Sequence, residues 1–143
     1  MKVLVLNGPN LASLGRREPI IYGKGTLAEL SDAVSDRAKA LGCDVIFFQS
    51  NHEGALIDEI EKERDADAVI VNPGALGHTS YALYDALRGF AKPVIEVHIS
   101  QVFAREEFRH RSVTAAAAHA VISGLGFSGY LLALDYLAKM LKK

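Results

Sequence analysis

The first ten residues, Met1-Lys-Val-Leu-Val-Leu-Asn-Gly-Pro-Asn10, contain an unbroken apolar run at residues 3–6. Similar short runs recur at residues 45–48, 68–71, 94–97 and, more weakly, 120–122. A strand that is apolar at every position, rather than at every second one, is typical of a sheet covered by helices on both faces. The five runs therefore predict five strands of a parallel sheet.

Amphipathic segments alternate with these strands, and the clearest of them is residues 27–41. Thr26 and Glu29 have the capping-box spacing that starts a helix, and Gly42 stands where a glycine commonly follows one. The apolar face of this segment consists of Leu27, Leu30, Val34, Ala38 and Leu41. The pattern predicts a helix over residues 27–41.

Three more helices are expected further along the chain. Ser50 and Glu53 repeat the capping-box spacing and predict the start of the second helix. Its charged residues should face water: Asp58, Glu59, Glu61, Lys62 and Glu63. A third helix is expected over about residues 79–90, because Pro93 prevents its continuation. The last helix has apolar residues at helical spacing and ends in lysines: Tyr130, Leu134, Leu137, Leu141, Lys142 and Lys143.

Strands that alternate with helices predict an α/β protein with a flavodoxin-like, doubly wound parallel sheet of five strands in the order 2-1-3-4-5, with helices on both faces. The 143 residues contain no linker or repeat, so we expect a single flavodoxin-like catalytic domain over residues 1–143. In such sheets, ligands bind beyond the carboxyl ends of the strands, near the switch between strands 1 and 3. The amide-rich segments 7–10, 49–51, 72–75 and 98–100 should therefore gather there.

The composition excludes several classes of protein. Sixteen Lys and Arg against 17 Asp and Glu give a net charge of −1, so no nucleic-acid or anionic-membrane partner is indicated. No apolar stretch is long enough to cross a membrane. The single cysteine, Cys43, fits a reducing compartment, and we expect a cytoplasmic protein.

No motif in the sequence supports a cofactor site or a metal site. The string Gly124-Leu-Gly-Phe-Ser-Gly129 matches the glycine pattern of dinucleotide sites. However, the chain ends too soon after Gly129 to supply the next strand and the acidic residue that would bind a ribose. Tight turning and close helix packing are the better interpretation. No phosphate-binding loop or metal-ligand spacing is present, so we expect neither a cofactor nor a metal.

The segment at residues 7–25 is long for a connection in a small domain, and such loops are usually functional or disordered. It contains Arg16, Arg17 and Tyr22, and the glycines at positions 15, 23 and 25 would give flexible ends to a lid. Spacing alone equally allows an ordinary surface loop whose tyrosine packs on the body of the domain.

Longer motifs decide between these interpretations. In order along the chain they are Asn7-Gly-Pro-Asn-Leu-x-x-Leu-Gly-x-Arg-Glu-Pro-x-x-Tyr-Gly23, Gln49-Ser-Asn-His-Glu-Gly54, Asn72-Pro-Gly-Ala-x-x-His-Thr-Ser80, Glu96-Val-His-Ile-Ser100 and Arg105-Glu-Glu-Phe-Arg-His110. Over essentially the whole chain they resemble the type II 3-dehydroquinate dehydratases. The sequence departs from the family's usual pattern at four positions that concern lid packing and the pocket wall: Ala12, Ser13, Leu76 and Gly77.

The resemblance implies dehydration of 3-dehydroquinate to 3-dehydroshikimate, on the shikimate route to aromatic amino acids or in quinate breakdown, without a cofactor. It implies that Tyr22 is the base, that His98 protonates the leaving hydroxyl, and that Arg17 is the lid arginine. Asn10, through a water held near Pro9, would stabilise the enolate.

The resemblance also implies how the substrate is held. Its carboxylate would lie on Ser100 and the backbone of Ile99, while Asn72, His78 and Arg109 would contact the carboxylate and the ring hydroxyls. Asp85 matches a residue that a neighbouring subunit donates, which implies trimers that assemble into a dodecamer.

Elementary chemistry supports the roles of the charged residues. A tyrosine ionises near pH 10, so a tyrosinate at pH 7 requires about 4 kcal/mol of preferential stabilisation, for which Arg17 and Arg105 are the best candidates. Spacing alone would instead make Arg105 a surface cation paired with Glu106 or Glu107. Glu96 lies two residues before His98, on the same side of an extended strand, and is placed to orient its imidazole.

Two alternative functions remain at this point. The same pocket would bind or sense a polyhydroxy carboxylate without turning it over, or the fold would carry a flavin or nucleotide. The lack of a phosphate-binding loop after strand 1 argues against the second. Taken singly, His78 would equally cap a helix, and His52, His110 and His119 are interpreted as structural or surface residues.

Overall fold

Five parallel strands form one sheet in the computed structural model, which describes residues 1–142. The strands are β1 (Lys2–Asn7), β2 (Asp44–Gln49), β3 (Ala68–Asn72), β4 (Val94–His98) and β5 (Ala120–Ser123). Their order in the sheet is β2-β1-β3-β4-β5, which confirms the predicted doubly wound plan. Lys143, one of the two lysines expected at the end of the last helix, lies outside the described residues.

Helices cover the sheet on both faces. The five helices are α1 (Pro19–Tyr22), α2 (Leu27–Leu41), α3 (Glu53–Lys62), α4 (Tyr81–Phe90) and α5 (Ser128–Leu141). Successive residues of a strand point to opposite faces, so Val3 and Val5 pack with α2 and α5, whereas Leu4 and Leu6 pack with α3 and α4. Among residues 1–142, none of the helices combines the length and the apolar character that a membrane crossing requires.

The burial of each strand depends on its position in the sheet. The central strands β3 and β4 are buried at every residue, as the continuous apolar runs predict. The edge strands are less covered: β2 is mostly half-buried, and Val121 of β5 is 47% exposed. Each of these two strands lies at an edge of the sheet and has a neighbouring strand on one side only, which leaves more of it exposed.

The start of α2 is as predicted, but the start of α3 is not. The backbone N–H of Glu29 donates to Thr26 Oγ1 at 3.1 Å, and Gly42 ends α2 in the left-handed conformation. By contrast, α3 begins at Glu53, whose carboxylate accepts a hydrogen bond from Ser80. The predicted capping box of Ser50 and Glu53 is wrong, because Ser80 at the start of α4 takes the glutamate.

The charged residues of α3 also differ from expectation. Glu59 and Glu63, predicted to face water, are 7% and 8% exposed. The ammonium group of Lys2 lies 2.8 Å from the Glu63 carboxylate, so an ion pair to strand β1 explains the burial of Glu63. The helix predicted over about residues 79–90 begins at Tyr81, since Ser80 Oγ accepts from the backbone N–H of Leu83 at 2.9 Å and caps α4.

The glycine-rich string before α5 performs the structural role that its position predicted. Gly124 and Gly126 have φ angles of 89° and 58°, which suit a tight turn. A Cβ at Gly129 would lie 3.1 Å from Val97 and 3.3 Å from Ile122, so the glycine lets α5 pack closely on the sheet.

The loops after β1 and β3 touch through their backbones. The N–H of Gly8 donates to the carbonyl of Asn72 at 2.8 Å, and a Cβ at Gly8 would lie 2.4 Å from the carbonyl oxygen of Pro73. Only a residue without a Cβ fits between the two loops. This contact fixes the carboxyl ends of β1 and β3 against each other.

We expect Gly8→Ala to lower the free energy of unfolding by about 2 kcal/mol or more, because backbone atoms have to move to admit the methyl group. Gly54→Ala is the matched control, since its Cβ would meet nothing within 4 Å and it lies within α3. Urea unfolding of both variants measures the difference. An equal stability of Gly8→Ala and the wild type would contradict the proposed tight contact.

Candidate active site

A cleft opens at the carboxyl ends of β1, β3 and β4. The cleft is lined by Pro9, Asn10, Leu11, Arg17, Tyr22, Asn72, Gly74, Ala75, His78, His98, Ile99, Ser100, Val102, Arg105 and Arg109. Loops that follow different strands meet here, at the position that the doubly wound topology predicts.

The structure brings almost all of the sequence-predicted site residues together. Glu96 does not line this cleft but lies directly behind His98, to which it is hydrogen-bonded. Asp85 is the exception, because it is exposed on α4 and does not line the cleft of its own chain. Of the four positions that depart from the family pattern, none lines the cleft, and Leu76 packs with the apolar core under α3 and α4.

Tyr22 is held by a buried arginine. Nη1 of Arg105 donates to the Tyr22 hydroxyl oxygen at 2.7 Å and to Ser100 Oγ at 3.0 Å. The Arg105 side chain is only 9% exposed, and its Nε, 3.7 Å from the Glu106 carboxylate, is buried without a hydrogen-bond partner. The pairing with Glu106 that spacing alone favoured is therefore present, but the surface position is wrong, because the side chain turns inward to the tyrosine.

A second cation lies against the same tyrosine ring. The guanidinium carbon of Arg17 is 4.7 Å from the centroid of the Tyr22 ring, and that of Arg105 is 5.0 Å from it. Arginine stays protonated at any physiological pH, so two fixed positive charges surround the phenol. This arrangement stabilises negative charge on the Tyr22 oxygen.

The segment at residues 7–25 is more ordered than a plain loop. Tyr22 ends the short helix α1, and Leu11 and Leu14 are both 3% exposed and anchor the segment in the core. Gly23 has a φ of 81° and open space around it, whereas a Cβ at Gly25 would lie 2.5 Å from the ring of Phe127. Of the three glycines expected to give a lid flexible ends, Gly15 and Gly25 are closely packed, whereas Gly23 is not.

On the other side of the cleft, His98 and Glu96 form a hydrogen-bonded pair. Nε2 of His98 lies 2.9 Å from the Glu96 carboxylate, as the two-residue spacing on a strand predicts. The bond occupies Nε2, so Nδ1 is the ring nitrogen that remains for a ligand. His98 is 7% exposed, and Glu96 has no exposed surface.

Two hydroxyl groups complete the environment of Glu96. Ser112 Oγ donates to its carboxylate at 2.8 Å, and Thr114 donates to the other carboxylate oxygen. Burial alone would raise the pKa of Glu96, but the hydrogen bonds from His98, Thr114 and Ser112 outweigh it and hold the pKa below its usual value. Glu96 is therefore a carboxylate at neutral pH.

His78 stands beside this pair. Its Nδ1 lies 2.7 Å from the carbonyl oxygen of Arg111, so the ring contacts the backbone at Arg111 and does not cap its own helix. The His78 and His98 rings are stacked with centroids 6.4 Å apart. Nε of Arg109 donates to the Glu106 carboxylate at 2.6 Å. Both side chains present polar atoms at the cleft.

Asn51, in a segment expected at the strand ends, supports the site, as do Ser112, Thr114 and Tyr130, for which the sequence indicated no role there. The Asn51 side chain accepts from the backbone N–H of Asn10 at 3.0 Å, and Asn10 itself has the left-handed φ of 69°. Ser112 and Thr114 hold Glu96, and Tyr130 holds Asn72. Within residues 1–142, no group of three or more His, Cys, Asp or Glu side chains is placed to hold a metal ion.

Known proteins resemble this chain in sequence and in fold. The family model for dehydroquinase class II matches residues 1–138. The 3-dehydroquinate dehydratase of Roseiflexus castenholzii is 54% identical over 138 residues, which are 96% of this chain and 88% of that protein. The 3-dehydroquinate dehydratase 1 of Ralstonia nicotianae is 56% identical, with 94% and 88% covered. The crystal structure of type II dehydroquinase from Propionibacterium acnes aligns with a TM-score of 0.93, at 46% identity and 96% coverage of both chains.

The contribution of the hydrogen bond from Thr114 to Glu96 to the stability of the fold depends on pH. Since the folded-state pKa of Glu96 is below the usual 4.5, the stabilisation is complete at pH values above 4.5 and is lost as the pH falls through the folded-state pKa. We expect Thr114→Val to lower the free energy of unfolding by about 2 kcal/mol at neutral pH, because a hydrogen bond to a charged group is lost. The deficit should shrink on acidification, as measured by urea unfolding across the acid range.

Thr114→Ser is the control, because it keeps the hydroxyl, and any deficit from the lost methyl group should be the same at every pH. A deficit of Thr114→Val that stays constant across the whole acid range would show that the threonine hydroxyl does not act through the carboxylate.

Proposed function

The chain belongs to the dehydroquinase class II family, and on that premise we propose that it dehydrates 3-dehydroquinate to 3-dehydroshikimate with Tyr22 as base and His98 as acid. One observation carries the assignment of these roles. A tyrosine hydroxyl held at 2.7 Å by an arginine and a histidine held at 2.9 Å by a buried glutamate line one small cleft. A site that only bound its ligand would need neither.

Proton abstraction is the first step. The Tyr22 oxygen, which accepts a hydrogen bond from Arg105, takes the proton from the carbon beside the ketone. The electron pair of that C–H bond moves toward the carbonyl oxygen and forms an enolate. Asn10, acting through a water near Pro9, stabilises the charge on that oxygen. Both guanidinium groups already lie against the phenol in this structure.

Loss of the hydroxyl is the second step. The enolate collapses, the C–O bond breaks, and His98 gives its proton to the departing oxygen, so that water leaves. Because Glu96 occupies Nε2 of His98, the proton is given from Nδ1. The hydrogen bond to the buried Glu96 carboxylate fixes the orientation of the imidazole. Tyr22 has gained one proton and His98 has lost one, and exchange with solvent restores both.

The remaining polar groups of the cleft bind the substrate. Ser100 and the backbone of Ile99 receive the carboxylate, and Ser100 is itself oriented by Arg105 at 3.0 Å. Asn72, His78 and Arg109 contact the carboxylate and the ring hydroxyls. The segment at residues 14–25 closes over the substrate, with Gly23 as a hinge, and excludes water from the reacting atoms.

The same proposal includes the pathway, the absence of a cofactor and the cellular compartment. The substrate is a small molecule of the shikimate route or of quinate breakdown, and no cofactor takes part. The free, buried thiol of Cys43 suits a reducing compartment, and we assign the enzyme to the cytoplasm.

We also propose that three chains form a trimer, that four trimers form a dodecamer, and that Asp85 completes the site of a neighbouring subunit. The support in this structure is the position of Asp85. It is exposed on α4 and contributes nothing to the cleft of its own chain.

The catalytic assignment is tested by following the conjugated enone product in the ultraviolet with the wild type, Tyr22→Phe, Arg17→Ala and the double variant. Each single change should reduce kcat by about a thousandfold while substrate affinity falls only modestly, because both disable the same proton abstraction. The double variant should be little worse than either one.

Tyr136→Phe and Arg16→Ala are matched controls, since both residues lie outside the cleft, and they should keep full activity. Substantial turnover by Tyr22→Phe, or losses that simply multiply in the double variant, would require a different base. No enone from the wild type would overturn the function itself.

The shared site is tested by mixing two defective chains. Asp85→Ala and Tyr22→Phe should each be inactive as homo-oligomers, and co-assembly should restore activity, because some sites then combine an intact Tyr22 with a neighbour's intact Asp85. Light scattering measures the mass of the assembly. A protein that is monomeric at micromolar concentration and fully active would contradict the proposal.

A further inference from the structure

Tyr130 is a buried ionisable residue for which the mechanism above has no use. It lies on α5, its side chain has no exposed surface, and it belongs to the core under α2 and α5. Burial raises the pKa of its hydroxyl well above the usual value of 10, although a hydrogen bond from Asn72 opposes the shift. The group therefore stays a neutral hydroxyl that both donates and accepts.

The hydroxyl of Tyr130 joins two buried asparagines. Nδ2 of Asn72 donates to the tyrosine oxygen at 2.9 Å, and the tyrosine O–H donates to Oδ1 of Asn7 at 2.8 Å. Asn7 has no exposed surface and Asn72 is 3% exposed, so water does not compete for these bonds. In such surroundings an unpaired amide or hydroxyl group costs about 1–3 kcal/mol, which keeps the chain of bonds closed.

Backbone atoms set the direction of every bond in this chain. Nδ2 of Asn7 donates to the carbonyl of Phe48 at 3.3 Å, and that carbonyl has no proton to offer. The Oδ1 atom of Asn7 must then face Tyr130, which must donate to it and accept from Nδ2 of Asn72. At the far end, the N–H of Gly74 donates to Oδ1 of Asn72 at 3.1 Å.

Asn72 lines the cleft with its carboxamide fixed in this way. One N–H has been used by Tyr130 and one oxygen lone pair by Gly74, so one N–H and one lone pair remain for a ligand. That pair of groups matches neighbouring hydroxyls on a ring. An amide held in place before binding loses less freedom when the ligand arrives.

We propose that Tyr130 is a positioning residue, which fixes the Asn72 carboxamide so that it hydrogen-bonds the ring hydroxyls of a polyhydroxy carboxylate. The inference rests on the proposed function, in which Asn72 contacts the substrate. Hydroxyl contacts away from the reacting carbon are the same in the ground state and the transition state, so they change KM and leave kcat almost unaltered.

The test is steady-state kinetics of full-length Tyr130→Phe with 3-dehydroquinate. The phenylalanine keeps the ring that packs in the core and removes only the hydroxyl. We expect KM to rise about tenfold with kcat within about twofold of the wild type. Asn72→Ala should raise KM at least as much, and adding Tyr130→Phe to Asn72→Ala should cause no further rise.

Leu137→Ala is the control for a merely structural effect. Leu137 lies on the same helix and has no exposed surface, so its truncation should lower the melting temperature at least as much as Tyr130→Phe. Its KM should stay at the wild-type value, because the bonds to Asn72 remain. A KM that rises equally in Leu137→Ala and Tyr130→Phe would overturn the inference.

The outcomes separate this inference from the function on which it rests. A normal KM in Tyr130→Phe, together with a raised KM in Asn72→Ala, overturns the role of Tyr130 and leaves the function standing. No product from the wild type overturns the function and the inference together. If Tyr130→Phe does not fold, Asn7→Ala interrupts the same chain of bonds and should raise KM in the same way; a normal KM there counts against Tyr130.

Discussion

A carboxylate without any contact with water is the constraint around which one side of the cleft is built. Glu96 lies on the central strand β4 and has no exposed surface. An ionised carboxyl group in that position is tolerable only if protein donors replace its hydration. The imidazole of His98 supplies one donor, and the hydroxyls of Ser112 and Thr114 supply the others. The segment that carries these hydroxyls must therefore lie against β4, and it brings Arg111 to His78.

The opposite side of the cleft depends on Arg105. Its guanidinium reaches Tyr22 and Ser100 at once, so the base and the carboxylate-binding hydroxyl are set by the same side chain. A substitution that disturbs either contact of Arg105 would also disturb the other contact. The coupling explains why a residue that follows strand β4 decides the geometry of a tyrosine near the start of the chain.

The sequence predicted the parts of this structure that depend on local patterns. Apolar runs located the strands, and the capping residues of α2 gave both of its ends. Contacts between distant segments had no local signature. Ser80 takes the carboxylate of Glu53, and Lys2 buries Glu63. Tyr130 meets Asn72 across 58 residues, and Thr114 meets Glu96 across 18. Such pairs arise only once the topology has placed the strands, whereas the family resemblance carried the residues that line the cleft.

The three arginines of the cleft give this protein a charge distribution that its composition conceals. The chain as a whole has a net charge of −1, yet Arg17, Arg105 and Arg109 converge on a concave surface, with two acids, Glu18 and Glu106, beside them. Low-dielectric walls focus the field of such a cluster into the opening. A small anion in solution is therefore drawn toward the cleft before it touches any residue, and added salt, which screens that attraction, slows the encounter without altering a single contact.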